Sequence, residues 1–213
     1  MSEFCIKVCG VTESSTAEFL IEKHISIMGL IFYPESPRFL SPEKAEVLLS
    51  QLKEKRKNIK IAGVFVNEDI ERLRKAADRL KLDLIQLHGN EGPEYIDELK
   101  PYSIIKVFKM RDDLKAEEIN KFTNSNIKYF LMDTYKAGVA GGTGEPFNWE
   151  KFHFLKDYNN IIISGGLNEQ NILQAIEIFD PAGVDLNSGV EESPGIKSRE
   201  KINKILTLLN SRS

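Results

Sequence analysis

The chain has 213 residues, of which 41% are hydrophobic and 29% charged, and its formal net charge is −3. That length suits one globular domain with a large core. A net charge this close to zero gives no electrostatic indication of nucleic-acid binding. No apolar run approaches the roughly 20 residues of a membrane span, and the N-terminal residues lack the pattern of a signal peptide. We therefore expect a single cytoplasmic domain over residues 1–213, with no membrane or nucleic-acid partner.

Short β-rich runs alternate along the chain with amphipathic helical patterns. The pattern predicts strands at residues 4–9, 27–32, 59–66, 82–87, 104–109, 128–133, 161–164 and 183–186. It predicts helices at residues 15–23, 42–55, 70–80, 91–99, 170–179 and 199–210. Ser41 followed by Pro42, and Asn168 before the helix at residues 170–179, are typical helix starts.

This alternation predicts parallel βαβ units, and the count of strands favours a closed α/β barrel over an open sheet. The fold is thus predicted to be a single (β/α)₈ TIM barrel. The helix at residues 112–122 is polar and is expected to be short or absent, and the unit at residues 149–158 is also short.

The two cysteines, Cys5 and Cys9, lie on the same predicted strand. An extended strand would hold their Cα atoms roughly 13 Å apart, which is too far for a disulfide or a shared metal ion. Reduced thiols in a cytoplasmic protein are the simplest interpretation. We expect no metal and no organic cofactor.

The carboxyl ends of the strands are where a barrel of this kind carries its active site. Polar residues concentrate at these ends: Cys9, Asn67, His88, Asp133, Ser164 and Asp185. The sequence therefore predicts a functional site on this rim.

Glycines stand beside serine, threonine or asparagine after the last three predicted strands. The residues concerned are Gly142, Thr143 and Gly144, then Ser164, Gly165 and Gly166, then Asn187, Ser188 and Gly189. Glycine allows backbone amides to approach an anion closely, and a helix N-terminus directly after Gly166 would add its dipole. Any one loop could be an ordinary tight turn, but three on neighbouring strands favour a phosphate site.

Cys9 and Asp133 together suggest acid–base chemistry, with a thiolate as base and a protonated carboxyl as acid. Lys7 lies two residues before Cys9, on the same face of the strand, where its ammonium could favour the thiolate. Taken alone, Cys9 could equally be a small buried hydrophobic residue.

Three further polar side chains are candidates for binding. Arg38, in a proline-bracketed loop, could hold a substrate carboxylate through its planar fork, although a solvated arginine is the alternative. His88 could bind ligand or stabilise the strand end. Lys106 stands among apolar neighbours, so we expect it to face the rim or a carboxylate, and nothing in its spacing requires a Schiff-base role.

These motifs, taken in order, resemble the phosphoribosylanthranilate isomerase family of tryptophan biosynthesis. The resemblance runs from about residue 6 to residue 199. The segments that carry it are 7–12 (KVCGVT), 29–38 (GLIFYPESPR), 63–67 (GVFVN), 86–89 (QLHG), 131–134 (LMDT), 141–144 (GGTG), 164–167 (SGGL) and 184–191 (VDLNSGVE). One departure is Leu186-Asn187, where the family more usually has Val-Ser.

The resemblance implies an Amadori rearrangement of N-(5-phosphoribosyl)anthranilate to 1-(o-carboxyphenylamino)-1-deoxyribulose 5-phosphate. By the same resemblance Asp133 protonates the furanose oxygen and Cys9 removes the C2′ proton. Arg38 would hold the anthranilate carboxylate, Asp185 would orient the substrate and the glycine-rich loops would hold the phosphate. Residues 134–140 are expected to form a mobile flap.

Two alternatives remain open on the sequence. One is another phosphosugar barrel isomerase or synthase, although such enzymes are not expected to pair a cysteine on the first strand with an aspartate on the sixth. The other is a catalytically silent barrel that binds a phosphorylated ligand or a partner protein and needs neither residue. The sequence allows a monomer or a homodimer.

Overall fold

A computed structural model describes residues 4–52, 55–124, 126–133 and 149–211. Eight parallel strands form a closed barrel in the order β1 to β8. They are β1 Cys5–Cys9, β2 Ile27–Ile31, β3 Lys60–Phe65, β4 Leu84–Leu87, β5 Ile104–Lys109, β6 Ile127–Asp133, β7 Ile161–Ser164 and β8 Gly183–Leu186. The predicted TIM barrel is confirmed, and every strand lies within two residues of its expected bounds.

The barrel closes where β1 pairs with β8. In this register Cys5 lies opposite Gly183 and Lys7 lies opposite Asp185. A Cβ atom at Gly183 would stand 2.2 Å from the Cys5 carbonyl oxygen, so glycine lets the two strands approach each other here. The closure thus fixes Lys7 beside Asp185.

The helices surround the barrel between successive strands. They are α1 Ser14–Glu22, α2 Pro42–Gln51, α3 Ile70–Leu80, α4 Pro93–Asp97, α5 Ala116–Asn120, α6 Ile172–Phe179 and α7 Arg199–Asn210. Ser41 caps α2 as expected, accepting a hydrogen bond from the Lys44 amide. The fifth helix is short, and residues Trp149–Asp157 form 3₁₀ turns rather than a regular helix.

Two predicted helices were too long. The second ends at Gln51 rather than at residue 55, because the amides of Lys55 and Arg56 both bond to the Leu52 carbonyl and the chain turns into a 3₁₀ segment. The fourth was predicted to span residues 91–99, but it begins at Pro93 and ends at Asp97. Glu91 lies outside the helix because its carboxylate accepts hydrogen bonds from the amides of Asn67 and Gly89.

The sixth helix begins at Ile172, not at Gln170, so Asn168 is not its cap. The Asn168 side chain instead accepts a hydrogen bond from the Gln170 amide, and Asn171 accepts one from the Asn168 amide. These side-chain bonds make a turn before the helix and compete with helical geometry. The helix N-terminus therefore stands several residues after Gly166.

Apolar residues fill the part of the barrel interior that lies away from the carboxyl ends of the strands, and polar groups occupy the part near those ends. The interior cluster draws on β1 to β7 and consists of Cys5, Ile27, Ala62, Leu84, Ile105, Val107, Leu131 and Ile162. Burial of an aliphatic side chain of this size contributes roughly 1.5–3 kcal/mol. A second, larger cluster packs between the strands and the helices.

After β8 the chain forms a two-stranded hairpin, β9 Glu191–Ser193 and β10 Ile196–Lys197. The Thr12 hydroxyl, just after β1, donates a hydrogen bond to the Gly195 carbonyl in the hairpin turn, at 2.8 Å. The alternation of strands and helices gave no sign of this hairpin. It brings its side chains to the mouth of the barrel beside β1. None of the helices in the described ranges is long and apolar enough to span a bilayer.

Candidate active site

Cys9 stands at the carboxyl end of β1 and is buried, with Ile31 and Val64 around it. Below it on the same face, Lys7 is fully buried, and its ammonium donates to Asp185 Oδ2 at 2.9 Å. A Cβ atom at Gly29 would stand 2.8 Å from Cys9 Sγ and 3.2 Å from Lys7 Nζ. Sulfur and ammonium therefore flank the same point, as the sequence predicted.

Two opposing effects act on the Cys9 thiol. Burial raises its pKa, because the interior disfavours the thiolate, whereas the Lys7 ammonium lowers it. Burial prevails, and the pKa of Cys9 lies above that of an ordinary cysteine. The pKa of Lys7 is also raised: burial is the largest single effect and lowers it, but Asp185 and Cys9 together outweigh burial. Lys7 thus remains a cation beside a thiol that is protonated in the resting protein.

Arg38 lies at the mouth of the barrel, in the loop after β2, and is held by Glu191 of the hairpin. Its Nε and Nη2 atoms donate to the two carboxylate oxygens at 2.8 and 2.6 Å. A bidentate pair of this kind fixes the plane of the guanidinium. The solvated alternative for Arg38 is therefore wrong, since its side chain is 17% exposed and paired.

Glu191 also accepts from Lys197 Nζ at 2.7 Å, and Lys197 reaches on to Asn187 Oδ1 at 2.9 Å. Burial raises the pKa of Glu191, but the bonds from Arg38 and Lys197 outweigh it and hold that pKa below its usual value. Burial lowers the pKa of Lys197, with Glu191 opposing. One carboxylate thus joins two cations, and Asn187 directs its side-chain oxygen at Lys197.

Asp133 ends β6 on the same rim. Its Oδ2 atom lies 3.3 Å from His88 Nε2, where the two side chains are 16% and 29% exposed. On the other side of the ring, Gln86 Nε2 lies 3.3 Å from His88 Nδ1. Gln86 and His88 are two residues apart on β4 and share a face, so the strand itself aligns amide, ring and carboxyl.

Lys106 on β5 is buried and faces away from the barrel interior, toward the loop after β4. Its ammonium donates to Glu91 Oε2 at 2.8 Å and to the Gly89 carbonyl at 2.9 Å. The expectation that Lys106 meets a carboxylate is confirmed. Burial lowers the pKa of Lys106, and Glu91 opposes that effect. This pair anchors the backbone directly after His88.

The loops after β7 and β8 contact each other closely. Gly165 and Gly166 have positive φ values of 99° and 67°, which favour glycine. A Cβ atom at Gly189 would stand 1.9 Å from the Leu167 carbonyl oxygen. The expected helix dipole is not directly behind Gly166, because α6 begins at Ile172. Gly142, Thr143 and Gly144 and the flap at residues 134–140 lie outside the described residues.

The structure adds three groups whose part in the site the sequence did not indicate. They are Gln86, Glu191 and Lys197, each buried and each bonded to a candidate residue. Gln86 could have been found, since a polar residue two positions before His88 must share its face. Glu191 and Lys197 depend on the hairpin, which no pattern indicated.

A closed (β/α)₈ barrel with a thiol, a carboxyl and fixed cations at the carboxyl ends of its strands is typical of TIM-barrel enzymes that use general acid–base catalysis. Comparison with known proteins narrows the class. Residues 6–207 match the model of the family described as N-(5′-phosphoribosyl)anthranilate (PRA) isomerase. The chain belongs to this family.

Individual relatives agree over nearly the whole chain. The N-(5′-phosphoribosyl)anthranilate isomerase of Clostridium acetobutylicum is 40% identical, covering 94% of this chain and 95% of the relative. That of Syntrophus aciditrophicus is 38% identical over 94% and 85%. The crystal structure of the Thermotoga maritima isomerase superposes with a TM-score of 0.86 at 30% identity, covering 98% of this chain and all of that one.

A further solved isomerase, 28% identical with a TM-score of 0.83, is a complex with reduced 1-(o-carboxyphenylamino)-1-deoxyribulose 5-phosphate. It covers 98% of this chain and all of the solved chain. The ligand of that relative is a phosphorylated sugar derivative that carries an aromatic carboxylate.

Proposed function

We propose that this chain catalyses the Amadori rearrangement of N-(5′-phosphoribosyl)anthranilate, with Asp133 as general acid and Cys9 as general base. The observation that carries the proposal is the placement of both residues at strand ends of one rim, at the positions expected from the family motifs. The single catalytic domain is taken to comprise residues 1–213, and the reaction requires neither metal nor organic cofactor.

Ring opening is the first step. Protonated Asp133 gives its proton to the furanose oxygen while the nitrogen lone pair forms the C1′=N bond and the C1′–O bond breaks. Asp133 is left as a carboxylate. His88, 3.3 Å from Asp133 Oδ2, orients the carboxyl for this transfer.

Proton abstraction from C2′ is the second step. The Cys9 thiolate takes this proton, and the electron pair of the C–H bond moves into the iminium to give a neutral enolamine. Tautomerisation of the enolamine then gives the ketone. Lys7 favours the thiolate form that this step needs, against the burial that disfavours it.

Arg38 binds the anthranilate carboxylate in this proposal. Glu191 binds the Nε and Nη2 edge of the guanidinium, which fixes the plane in which Arg38 faces the substrate carboxylate. A guanidinium whose plane is already fixed loses less side-chain entropy when it binds. Asp185, paired with Lys7, orients the substrate hydroxyls from below.

The phosphate is assigned to the glycine-rich loops, with Ser164, Gly165 and Gly166 from one and Asn187, Ser188 and Gly189 from the next. Support comes from the positive φ values and from the close approach of Gly189 to Leu167. Asn187 contributes through its backbone, because its side-chain oxygen is bonded to Lys197. Gly142, Thr143 and Gly144 complete the phosphate site as predicted from the sequence.

The substrate is thus a phosphorylated small molecule, and nucleic acid and membrane are not proposed as partners. A cytoplasmic enzyme is proposed because both cysteines are free and buried. Its oligomeric state is either a monomer or a homodimer, and the Thermotoga maritima relative has been described as dimeric.

A fluorescence assay tests the activity, by following the loss of phosphoribosylanthranilate generated in situ. Wild-type protein should consume the substrate, whereas Cys9→Ala and Asp133→Asn should be folded and almost inactive. A well-folded wild-type protein with no activity would contradict the proposal. Retention of ligand binding in such a protein, measured with reduced product, would favour the silent-barrel alternative.

A further inference from the structure

Lys197, on the second strand of the hairpin, is a buried cation that gives or takes no proton in the proposed mechanism. Its ammonium donates to Glu191 Oε1 at 2.7 Å, to Asn187 Oδ1 at 2.9 Å and to the Asn187 carbonyl at 3.3 Å. These three oxygens match the three donors of an ammonium group. Replacing a buried ion pair with apolar side chains often costs no stability, so stability alone does not account for a lysine here. What an apolar side chain would not supply is the donor to Asn187.

The contact with the Asn187 carbonyl sets the direction of the next peptide group. That carbonyl also accepts from the Val190 amide at 3.3 Å, so two donors hold it. In a trans peptide the C=O and N–H groups point in opposite directions. The Lys197 side chain is fully buried, whereas Ser188 is exposed, so the carbonyl is directed inward and the Ser188 N–H outward. Outward-pointing backbone N–H groups are what an anion requires from a loop.

The hairpin holds Lys197 in register with Glu191, which lies opposite it on the neighbouring strand. The Glu191 carboxylate also accepts from the Gly195 amide in the hairpin turn at 3.1 Å. The Glu191 carbonyl accepts from Lys201 at 2.6 Å, which joins the hairpin to α7. The ammonium therefore reaches Asn187 from a segment that contacts within the hairpin and to α7 both fix.

We infer that Lys197 is a positioning residue that holds Asn187 through both of its oxygens and thereby directs the backbone amides after β8 toward the substrate phosphate. The inference rests on the proposed assignment of the phosphate to this loop. Lys197 acts through Asn187, since its ammonium is buried and its three donors are already bonded. Glu191 compensates the buried charge, and the bonds to Asn187 carry the positioning.

Two ligands separate the contribution of the phosphate from that of the rest of the substrate. One is reduced 1-(o-carboxyphenylamino)-1-deoxyribulose 5-phosphate, and the other is the same compound without its phosphate. Titration calorimetry gives the Kd of each, and the Kd of the unphosphorylated ligand divided by that of the phosphorylated one measures what the phosphate contributes. A change that disturbs Arg38 affects both ligands and leaves this Kd ratio unaltered.

Lys197→Met and Glu191→Gln break the same ion pair but differ in what they do to Asn187. Lys197→Met removes the donor, and we expect the Kd ratio to fall about tenfold while the unphosphorylated ligand binds within about threefold of wild type. Glu191→Gln keeps the ammonium, and we expect a Kd ratio within about twofold of wild type. Lys106→Met, which removes a buried lysine from a carboxylate outside this loop, is a further control and should also keep the ratio.

Steady-state kinetics should agree, with Lys197→Met raising KM for the phosphorylated substrate more than it lowers kcat. A wild-type Kd ratio in Lys197→Met would overturn the inference, as would an equal fall of the ratio in Glu191→Gln.

Asn187→Ala tests the same link while both members of the ion pair stay in place, and it decides the question if Lys197→Met does not fold. It removes the 2.9 Å contact and leaves the bond to the carbonyl. We expect the Kd ratio to fall about threefold, less than in Lys197→Met. A wild-type ratio in Asn187→Ala would overturn the inference.

Failure of the phosphate assignment itself has a different signature. In the wild-type protein the ¹H–¹⁵N amide resonances of Ser188 and Gly189 should shift when the phosphorylated ligand binds, and should shift much less with the unphosphorylated one. If they do not, the phosphate lies elsewhere and the inference fails together with the assignment. If they do shift and Lys197→Met keeps the wild-type Kd ratio, only the positioning role of Lys197 is overturned.

Discussion

The two sides of the catalytic rim are built from different kinds of contact. The base side contains charges locked in buried ion pairs, namely Lys7 with Asp185 and Glu191 with Arg38 and Lys197. The acid side is partly exposed. Asp133 Oδ2 lies 3.3 Å from Nε2 of His88, and the neutral amide of Gln86 lies on the other side of that ring. In the proposed mechanism the base must become an anion before it reacts, and the fixed cations on its side suit that need.

Removing either reacting group should have the largest effect on the enzyme. We expect Cys9→Ala and Asp133→Asn each to lower kcat by about 10²–10⁴-fold with a modest change in KM, because proton transfer contributes that much. Steady-state kinetics in the in situ assay measure both constants. Near-wild-type turnover in either variant would remove that residue from the mechanism.

Removing the carboxylate-binding cation should act mainly on KM. We expect Arg38→Ala to raise KM roughly 10–100-fold, the equivalent of one or two charge-assisted hydrogen bonds of about 1.5–3 kcal/mol. Arg38→Lys is the control that keeps the charge and loses the planar fork. An unaltered KM in Arg38→Ala would take Arg38 out of the carboxylate role.

Removing the cation beside the thiol should change the pH dependence. Lys7 lowers the pKa of Cys9 against the raising effect of burial, so Lys7→Met should raise that pKa further. We expect kcat/KM to fall near pH 7 and to recover toward wild type as the pH rises, because less of the thiol is ionised at neutral pH. The pH–rate profile measures this change.

Lys106→Met is the matched control for Lys7→Met. It also removes a buried lysine from a carboxylate partner, but it does so outside the barrel interior. Both variants should be less stable than the wild type, whereas kcat/KM should recover at alkaline pH only in Lys7→Met. An equal loss of rate at every pH in Lys7→Met would mean that Lys7 is structural.

The smallest effect on turnover is expected from Glu191→Gln, whose main effect is on stability. Loss of the carboxylate should cost about 2 kcal/mol near neutral pH, because Arg38 and Lys197 lose a charged acceptor. The pKa of Glu191 is lower in the folded protein than in the unfolded chain. Its carboxylate therefore contributes fully to the free energy of unfolding above the unfolded pKa of about 4.3, and this contribution disappears as the pH falls through the folded pKa. The free energies of unfolding of the two proteins should converge only once the pH has fallen below the folded pKa of Glu191, and a constant difference would contradict this assignment.

The sequence predicted the barrel and the rim because both follow from local periodicity. Strand period and helix period alternate, and the carboxyl end of each strand can be identified from the residues that follow it. Cys9, His88 and Asp133 were therefore placed correctly. The contact of Lys7 with the thiol was also predictable, since residues two apart on a strand share a face.

What could not be predicted depends on contacts between distant segments. Arg38 and Glu191 are 153 positions apart, and their pairing requires the hairpin to fold back against the loop after β1. The late start of α4, at Pro93 rather than at Glu91, has the same origin, because the Glu91 carboxylate accepts hydrogen bonds from Asn67, Gly89 and Lys106. Helical periodicity is a local signal and does not report such competition.

The absence of a side chain at Gly29 leaves the space that the Cys9 thiol occupies. A single methyl group at this position would stand 2.8 Å from the Cys9 sulfur and 3.2 Å from Lys7 Nζ, so the thiol would have to move and the ammonium beside it would have to shift slightly. Gly29→Ala therefore offers a way to displace the sulfur without removing a charged group from the pocket. A variant of this kind is suited to trapping intact substrate for crystallography, where Cys9→Ala would instead leave an empty space beneath the reacting carbon.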